Sequence, residues 1–94
     1  MAMSDTLKAI SDPVRRKILT LLKDESKPAG EIAAQFDLTP ATVSYHLKLL
    51  KQANLITERR EKNFIYYDLN ASVFEEVLSW IYSLGIGGES DDKK

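Results

Sequence analysis

A chain of 94 residues has room for one small domain with a modest core, so docking onto a second copy would add useful buried area. It contains no cysteine, which excludes a disulfide framework, a thiolate metal site and a cysteine nucleophile, and the apolar runs around Ile18 to Leu22 and Ile81 to Ile86 are too short or interrupted to span a membrane. The formal charge of -1 conceals an asymmetry: up to Tyr67 there are 11 Lys and Arg against 8 Asp and Glu, and from Asp68 onward 2 against 6, so a basic surface can lie on one side of an acidic protein.

The opening MAMSDTLKAISD has neither a basic start leading into an apolar run nor a small-residue cleavage signature, and a cytoplasmic location is expected. Ser4 or Asp5 is a candidate cap for a short first helix through Ile10, with Leu7 and Ile10 on one face. SDPVRRKILTLLK starts a second. Asp12 is its N-cap and Pro13 its first residue, where the missing N–H costs nothing. Val14, Ile18, Leu21 and Leu22 form its apolar stripe, with Arg15, Arg16 and Thr20 mostly outside.

Pro28 is expected to open a short helix, PAGEIAAQF, with Ile32 and Phe36 four apart. After a tight connection at Asp37 and Leu38, Thr39 caps the helix that Pro40 begins. With about 100° between successive residues, Val43, Leu47 and Leu50 fall within about 60° of each other, while Ala41, Tyr45, Lys48 and Gln52 lie nearly opposite. After Asn54 the period changes. LITERR and FIYYDL are partly alternating runs separated by EKN, which predicts a two-stranded hairpin with Asn63 as the left-handed turn residue. The last helix starts near Ala71 with Asn70 as candidate cap, and Gly85, Gly87 and Gly88 end it. The expected layout is a single domain over 1–84 with a flexible tail over 85–94.

A short helix, a brief connection and a longer helix running into a hairpin is the order of a winged helix-turn-helix, so the fold class is mainly α with a β-hairpin, α1-α2-α3-α4-β-hairpin-α5. An α-helix fits the DNA major groove, with its first turns nearest the base edges. The candidate reading surface is therefore Pro40, Ala41, Thr42, Ser44, Tyr45, His46, Lys48 and Lys51. Ala41 and Thr42 are small enough to permit close approach, and Tyr45 cannot serve its own helix's core. His46 sits near the edge of the core face, where partial burial with a hydrogen bond and a phosphate contact are equally open. Arg59, Arg60, Lys62 and Asn63 would form a wing that meets phosphates or the minor groove. Arg15, Arg16 and Lys17 are further phosphate candidates, although Arg16 or Lys17 could pair instead with Asp12 or Asp24.

The final helix is too apolar for a terminal appendage. Val73, Val77, Ile81 and Leu84 form one stripe, widened by Phe74, Leu78 and Trp80. With Leu7 and Ile10 of the first helix they make a candidate dimer seam, which would set two reading helices against the half-sites of a pseudo-palindrome.

SDPVRRKIL, then AGEIA, then VSYHLKLLKQANLI and a hairpin ending in IYYDL together resemble the ArsR/SmtB family of bacterial winged-helix repressors, and most closely its metal-independent, SdpR-like autorepressors. The resemblance spans Leu7 to Leu84. It implies a homodimer joined by its first and last helices that binds operator DNA and blocks transcription. The family's recognition positions carry over to Ala41, Thr42, Ser44, Tyr45, His46 and Lys48, and its wing to Arg59 through Asn63. Many relatives have glycine at the wing turn, where this chain has Glu61, Lys62 and Asn63. Metal-sensing relatives often carry thiolates in the helix matching PAGEIAAQF, or carboxylate and imidazole ligands along the last helix. This chain offers only Glu75 and Glu76, pointing about 100° apart, so no metal or other cofactor is expected. Derepression then falls to another protein, a small ligand or a change in repressor concentration. The competing reading is a winged-helix protein-interaction module that does not read DNA. Catalysis is not expected, because no Ser–His–carboxylate arrangement can be built from the spacing.

Overall fold

The computed structural model describes residues 3–86, ordered as α1 (Met3–Ile10), α2 (Pro13–Leu21), β1 (Lys27–Pro28), α3 (Ala29–Ala33), α4 (Pro40–Gln52), β2 (Ile56–Glu61), β3 (Phe64–Leu69) and α5 (Ala71–Ser83). Both Xaa-Pro starts work as their chemistry dictates. The Asp12 carboxylate accepts from the amides of Val14 and Arg15 at 2.8 and 3.1 Å, and the Thr39 hydroxyl accepts from the Thr42 amide at 3.2 Å. Each satisfies N–H groups that the first helical turn leaves without an internal partner.

Four local expectations are corrected. Helix α1 already includes Met3, so Ser4 and Asp5 lie in its first turn and do not cap it. Its inward side is formed by Thr6 and Ala9, which are buried, while Leu7 is turned outward. Pro28 does not open α3. It is extended (φ -73, ψ 154) and pairs with Tyr66, as Lys27 does with Tyr67, making a third strand at the free edge of the hairpin. An edge is where a residue lacking an N–H is tolerated, and two residues are too few to display a period. Phe36 consequently lies beyond the end of α3. In the hairpin the left-handed residue is Lys62 (φ 56) and not Asn63.

The fourth concerns Asn70. It occupies the N-cap position of α5 without giving its side chain to the helix amides. Its Nδ2 instead donates to the Asn54 carbonyl at 2.9 Å, and its backbone N–H donates to the Leu55 carbonyl at 3.0 Å. This fastens the start of α5 to the end of α4. The α4 terminus itself turns on Asn54, whose φ of 60 is tolerated by a short polar side chain. Two bonds close it, Asn54 N–H to the Lys51 carbonyl and Leu55 N–H to the Leu50 carbonyl, both 3.0 Å, with Leu50 and Leu55 fully buried. Paired bonds of this kind with an apolar contact form a Schellman cap.

The sheet is antiparallel in the order β1-β3-β2. Its register sets Ile56 opposite Leu69 and Glu58 opposite Tyr67, which directs Ile56, Tyr67 and Leu69 toward the helices. Arg59 opposite Tyr66 and Glu61 opposite Phe64 point to the other side. Ile18, Leu22, Ile32, Val43, Leu47, Leu50, Leu55 and Ile56 form the centre of the core, joined by Leu19, a buried α2 residue outside the expected stripe. Helix α5 buries only Val73 completely; Phe74 is half-buried against the core, and Val77 and Ile81 are half-buried. Leu78, Trp80 and Leu84 remain 46%, 43% and 54% exposed. Gly85 ends this region with φ 80 and donates to the Tyr82 carbonyl at 2.9 Å. Gly87, Gly88 and most of the expected tail lie outside the described residues.

Candidate nucleic-acid interface

Three α4 side chains, Val43, Leu47 and Leu50, are spent on the core, and this determines what the rest of the helix presents. Pro40, Ala41, Ser44, Tyr45, Lys48 and Lys51 are exposed, and Thr42 and His46 are half-buried. Tyr45 keeps 57% of its surface open to solvent. Its ring meets His46 edge-on, with centroids 5.7 Å apart. Near the helix start the Thr39 and Thr42 hydroxyls share a hydrogen bond of 2.9 Å, so the first turn is braced as well as capped.

His46 takes the partly buried alternative. Its Nδ1 lies 3.2 Å from Nη1 of Arg15. A guanidinium can only donate, so Nδ1 accepts and the proton of the neutral ring resides on Nε2. The same Arg15 donates from Nε to the Ala9 carbonyl at 2.6 Å and from Nη2 to the Lys8 carbonyl at 3.3 Å. Arg16 donates to the Ile10 carbonyl at 2.9 Å. Two candidate phosphate ligands therefore hold the carbonyl end of α1, where positive charge is favoured by the helix dipole. Partial desolvation pushes the Asp12 carboxyl upward, but the Arg15 and Val14 amides, with the nearby charge of Arg15, outweigh it and hold its pKa below the usual aspartate value. Asp12 serves as a cap; the alternative pairing of Arg16 or Lys17 with Asp12 or Asp24 is not found among the described residues, and Lys17 instead donates to the Gln35 carbonyl at 3.4 Å and lies 5.0 Å from the Phe36 ring centre.

The wing divides in the same way. Arg59 donates to the Ser26 hydroxyl at 2.9 Å, pairs with Glu61, approaches Asp68 at 3.4 Å and lies 5.0 Å from the Tyr66 ring centre. Lys51 pairs with Glu58 at 2.9 Å, and that hydrogen bond raises the lysine's pKa. Lys48, Arg60 and Lys62 are exposed and have no ion-pair or side-chain hydrogen-bond partner among the described residues. Of the eight basic candidates, these three are left available to an external anion. Sequence reasoning named all eight basic candidates but could not divide them, because Ser26 and Gln35 are remote in the chain from Arg59 and Lys17, and the α1 carbonyls reach Arg15 and Arg16 only through the packing of α1 on α2. Had the strand register been known, alternation would have put Arg59, Tyr66 and Asp68 on one face.

The described residues contain no group of three or more His, Asp or Glu side chains arranged to hold an ion, and Glu75 and Glu76 are exposed. No helix among them is long and apolar enough to cross a membrane. A cleft of about 450 Å³ opens between α1 and α4, lined by Lys8, Arg15, Leu49 and Gln52 among others.

Known proteins with this pattern regulate transcription. The sequence profile of a helix-turn-helix domain family matches residues 10–59. The transcriptional repressor SdpR of Bacillus subtilis (strain 168) is 44% identical over 89 residues, spanning 95% of this chain and 99% of that protein. The arsenical resistance operon repressor of Staphylococcus aureus is 32% identical over 81% of this chain and 73% of its own length. Among solved structures, a possible transcriptional regulator for arsenical resistance superimposes with a TM-score of 0.78 at 29% identity, covering 87% of this chain and 85% of that one.

Proposed function

Since the chain belongs to the ArsR-type family of helix-turn-helix transcriptional repressors, we propose that it works as a cytoplasmic homodimer that reads a pseudo-palindromic operator and silences a promoter by occupying it. The observation that carries this reading is the division of α4: its apolar side is consumed by the core, and the opposite side offers Ala41, Ser44, Tyr45 and Lys48 to solvent. Those side chains suit a major groove, with small residues at the N-terminal approach and a hydroxyl, a phenol and a cation behind. Arg60 and Lys62 add phosphate contacts from the wing, where affinity is gained without sequence information.

A dimer through α1 and α5 is supported by the exposed Leu7, Leu78, Trp80 and Leu84, apolar surface that a domain of this size leaves to a partner. Ile10, Val73, Phe74, Val77 and Ile81 lie beneath or beside that seam. Repression by occupancy requires no bond to be made or broken and no bound metal.

The test is a titration of the purified chain against duplexes from its own upstream region and against scrambled duplexes of the same length. Tighter binding to one native fragment at moderate salt is expected, above the phosphate-driven background. Equal affinity for every duplex would overturn specific repression. Absence of DNA binding even at low salt, together with a protein partner whose capture depends on Tyr45, would favour an interaction module instead.

A further inference from the structure

Phe64 has no role in the core and none in the cation set, yet it stands exposed directly beside the turn of the wing. It is the first residue of β3, directly after the Lys62-Asn63 turn and opposite Glu61, and 57% of it is exposed. Ring-to-ring contact with Tyr66 holds it in place, with centroids 6.3 Å apart at an interplanar angle of 60°. Tyr66 in turn lies under Arg59, which is anchored to Ser26 on the connection between α2 and β1 and to Asp68 on the neighbouring strand. An aromatic ring at a hairpin tip ordinarily gains nothing from water, and here four residues keep it standing there.

We propose that Phe64 is the wing's apolar contact with DNA, packing against the deoxyribose wall of the minor groove while Arg60 and Lys62 hold the flanking phosphates. This rests on the DNA-binding reading above and adds to it a contact of a different kind. The minor groove is about 6 Å wide, whereas paired strands alone stand about 4.8 Å apart before their side chains are counted. The ribbon as a whole is too broad to enter, so the residues beside the turn make the deepest contact. The groove's walls are sugar carbon and its rims are phosphate, which matches a ring next to Lys62 on one face of the ribbon with Arg60, opposite Ile65, on the other, both cations lacking an ion-pair partner among the described residues. Apolar side chains at this groove are a recurrent device of proteins that grip it. Arg59 is then a positioning residue: its charge is already met by Glu61 and Asp68, and its effect on DNA passes through Tyr66 to Phe64.

An apolar contact and a phosphate contact differ in what they release. Each neutralised phosphate frees condensed counterions and steepens the dependence of affinity on salt, by a slope of about 0.9 per contact; a ring against a sugar frees none. The experiment measures binding of the full chain to a short mixed-sequence duplex between about 50 and 200 mM salt, for wild type, Phe64→Ser, Phe64→Leu and Lys62→Ala. Phe64→Ser is expected to weaken binding about tenfold, a free-energy difference of about 1.4 kcal/mol, with the salt slope unchanged and the native-to-scrambled ratio preserved. Phe64→Leu should recover most of the loss, and Lys62→Ala should flatten the slope. Because Phe64 is largely outside the core, far-ultraviolet circular dichroism and thermal melting should match wild type for both Phe64 variants. Wild-type affinity in Phe64→Ser, or a loss accompanied by a flatter slope, would overturn the assignment while leaving the DNA-binding reading intact. A wild-type chain that fails to bind the duplex at the lowest salt would remove both.

Discussion

At the scale of single residues, basic side chains in this protein separate by what they already hold. Arg59 has a hydroxyl, two carboxylates and a ring around it, whereas Lys62 has no such partner among the described residues. Replacing Arg59 with lysine keeps the charge but loses the planar fork and the stacking surface. Arg59→Lys is therefore expected to weaken duplex binding nearly as much as Arg59→Ala; titration of both variants checks this, and wild-type affinity in the lysine variant would mean direct phosphate contact. Tyr45→Ala should act differently, lowering the preference for the native operator over a scrambled duplex by about tenfold, in the range of one lost base-edge contact. Asp12 belongs to stability. Removing its cap in Asp12→Ala should cost about 1 kcal/mol in denaturant unfolding. Its pKa is depressed in the folded protein, so the stabilisation is complete above the unfolded-state value, near 3.9, and is lost as pH falls through the lower folded value. The stability difference between wild type and Asp12→Ala should accordingly shrink when unfolding is measured below about pH 4.

At the scale of elements, the starts of α2 and α4 were legible because Asp-Pro and Thr-Pro act on amides two or three residues away. The ends and edges were not. Lys27 and Pro28 form a strand only because β3 offers an open edge, and no sequence window that short carries a periodic signal. Asn63 had the better composition for a left-handed turn, yet the register that pairs Glu61 with Phe64 puts the positive φ on Lys62. Asn54 illustrates the same limit at the end of α4, where its φ of 60 serves the bonds to Leu50 and Lys51 and its carbonyl receives Asn70. Asn54→Gly should preserve stability or raise it slightly, while Asn54→Val should cost at least about 1–2 kcal/mol, because a branched side chain strains the left-handed region. Chemical denaturation of the two variants distinguishes the backbone requirement from a need for the amide.

At the scale of the whole molecule, the described fold is a helix-turn-helix core with an apolar α5 that it only half covers. If that face is the seam of a dimer, Leu78→Glu together with Leu84→Glu should yield a monomer by sedimentation and abolish the concentration dependence of wild-type melting. Operator affinity should fall far more than affinity for a single half-site, since two reading helices act as one ligand only while they are joined. Trp80, 43% exposed, offers the readout: its fluorescence should shift toward the blue on wild-type association and stay red in the double variant.

The amino-acid order alone determined the starts of α2 and α4, the apolar face of α4, the hairpin and the winged-helix arrangement, because capping, helical period and strand alternation are interactions within a few residues. The tertiary structure decided which cations are already bound, that His46 accepts from Arg15, and that β1 completes the sheet. Those outcomes depend on groups up to 40 positions apart, as with Lys27 and Tyr67. Local pattern cannot specify such contacts, since the free energy that selects them arises only when the core brings distant surfaces together.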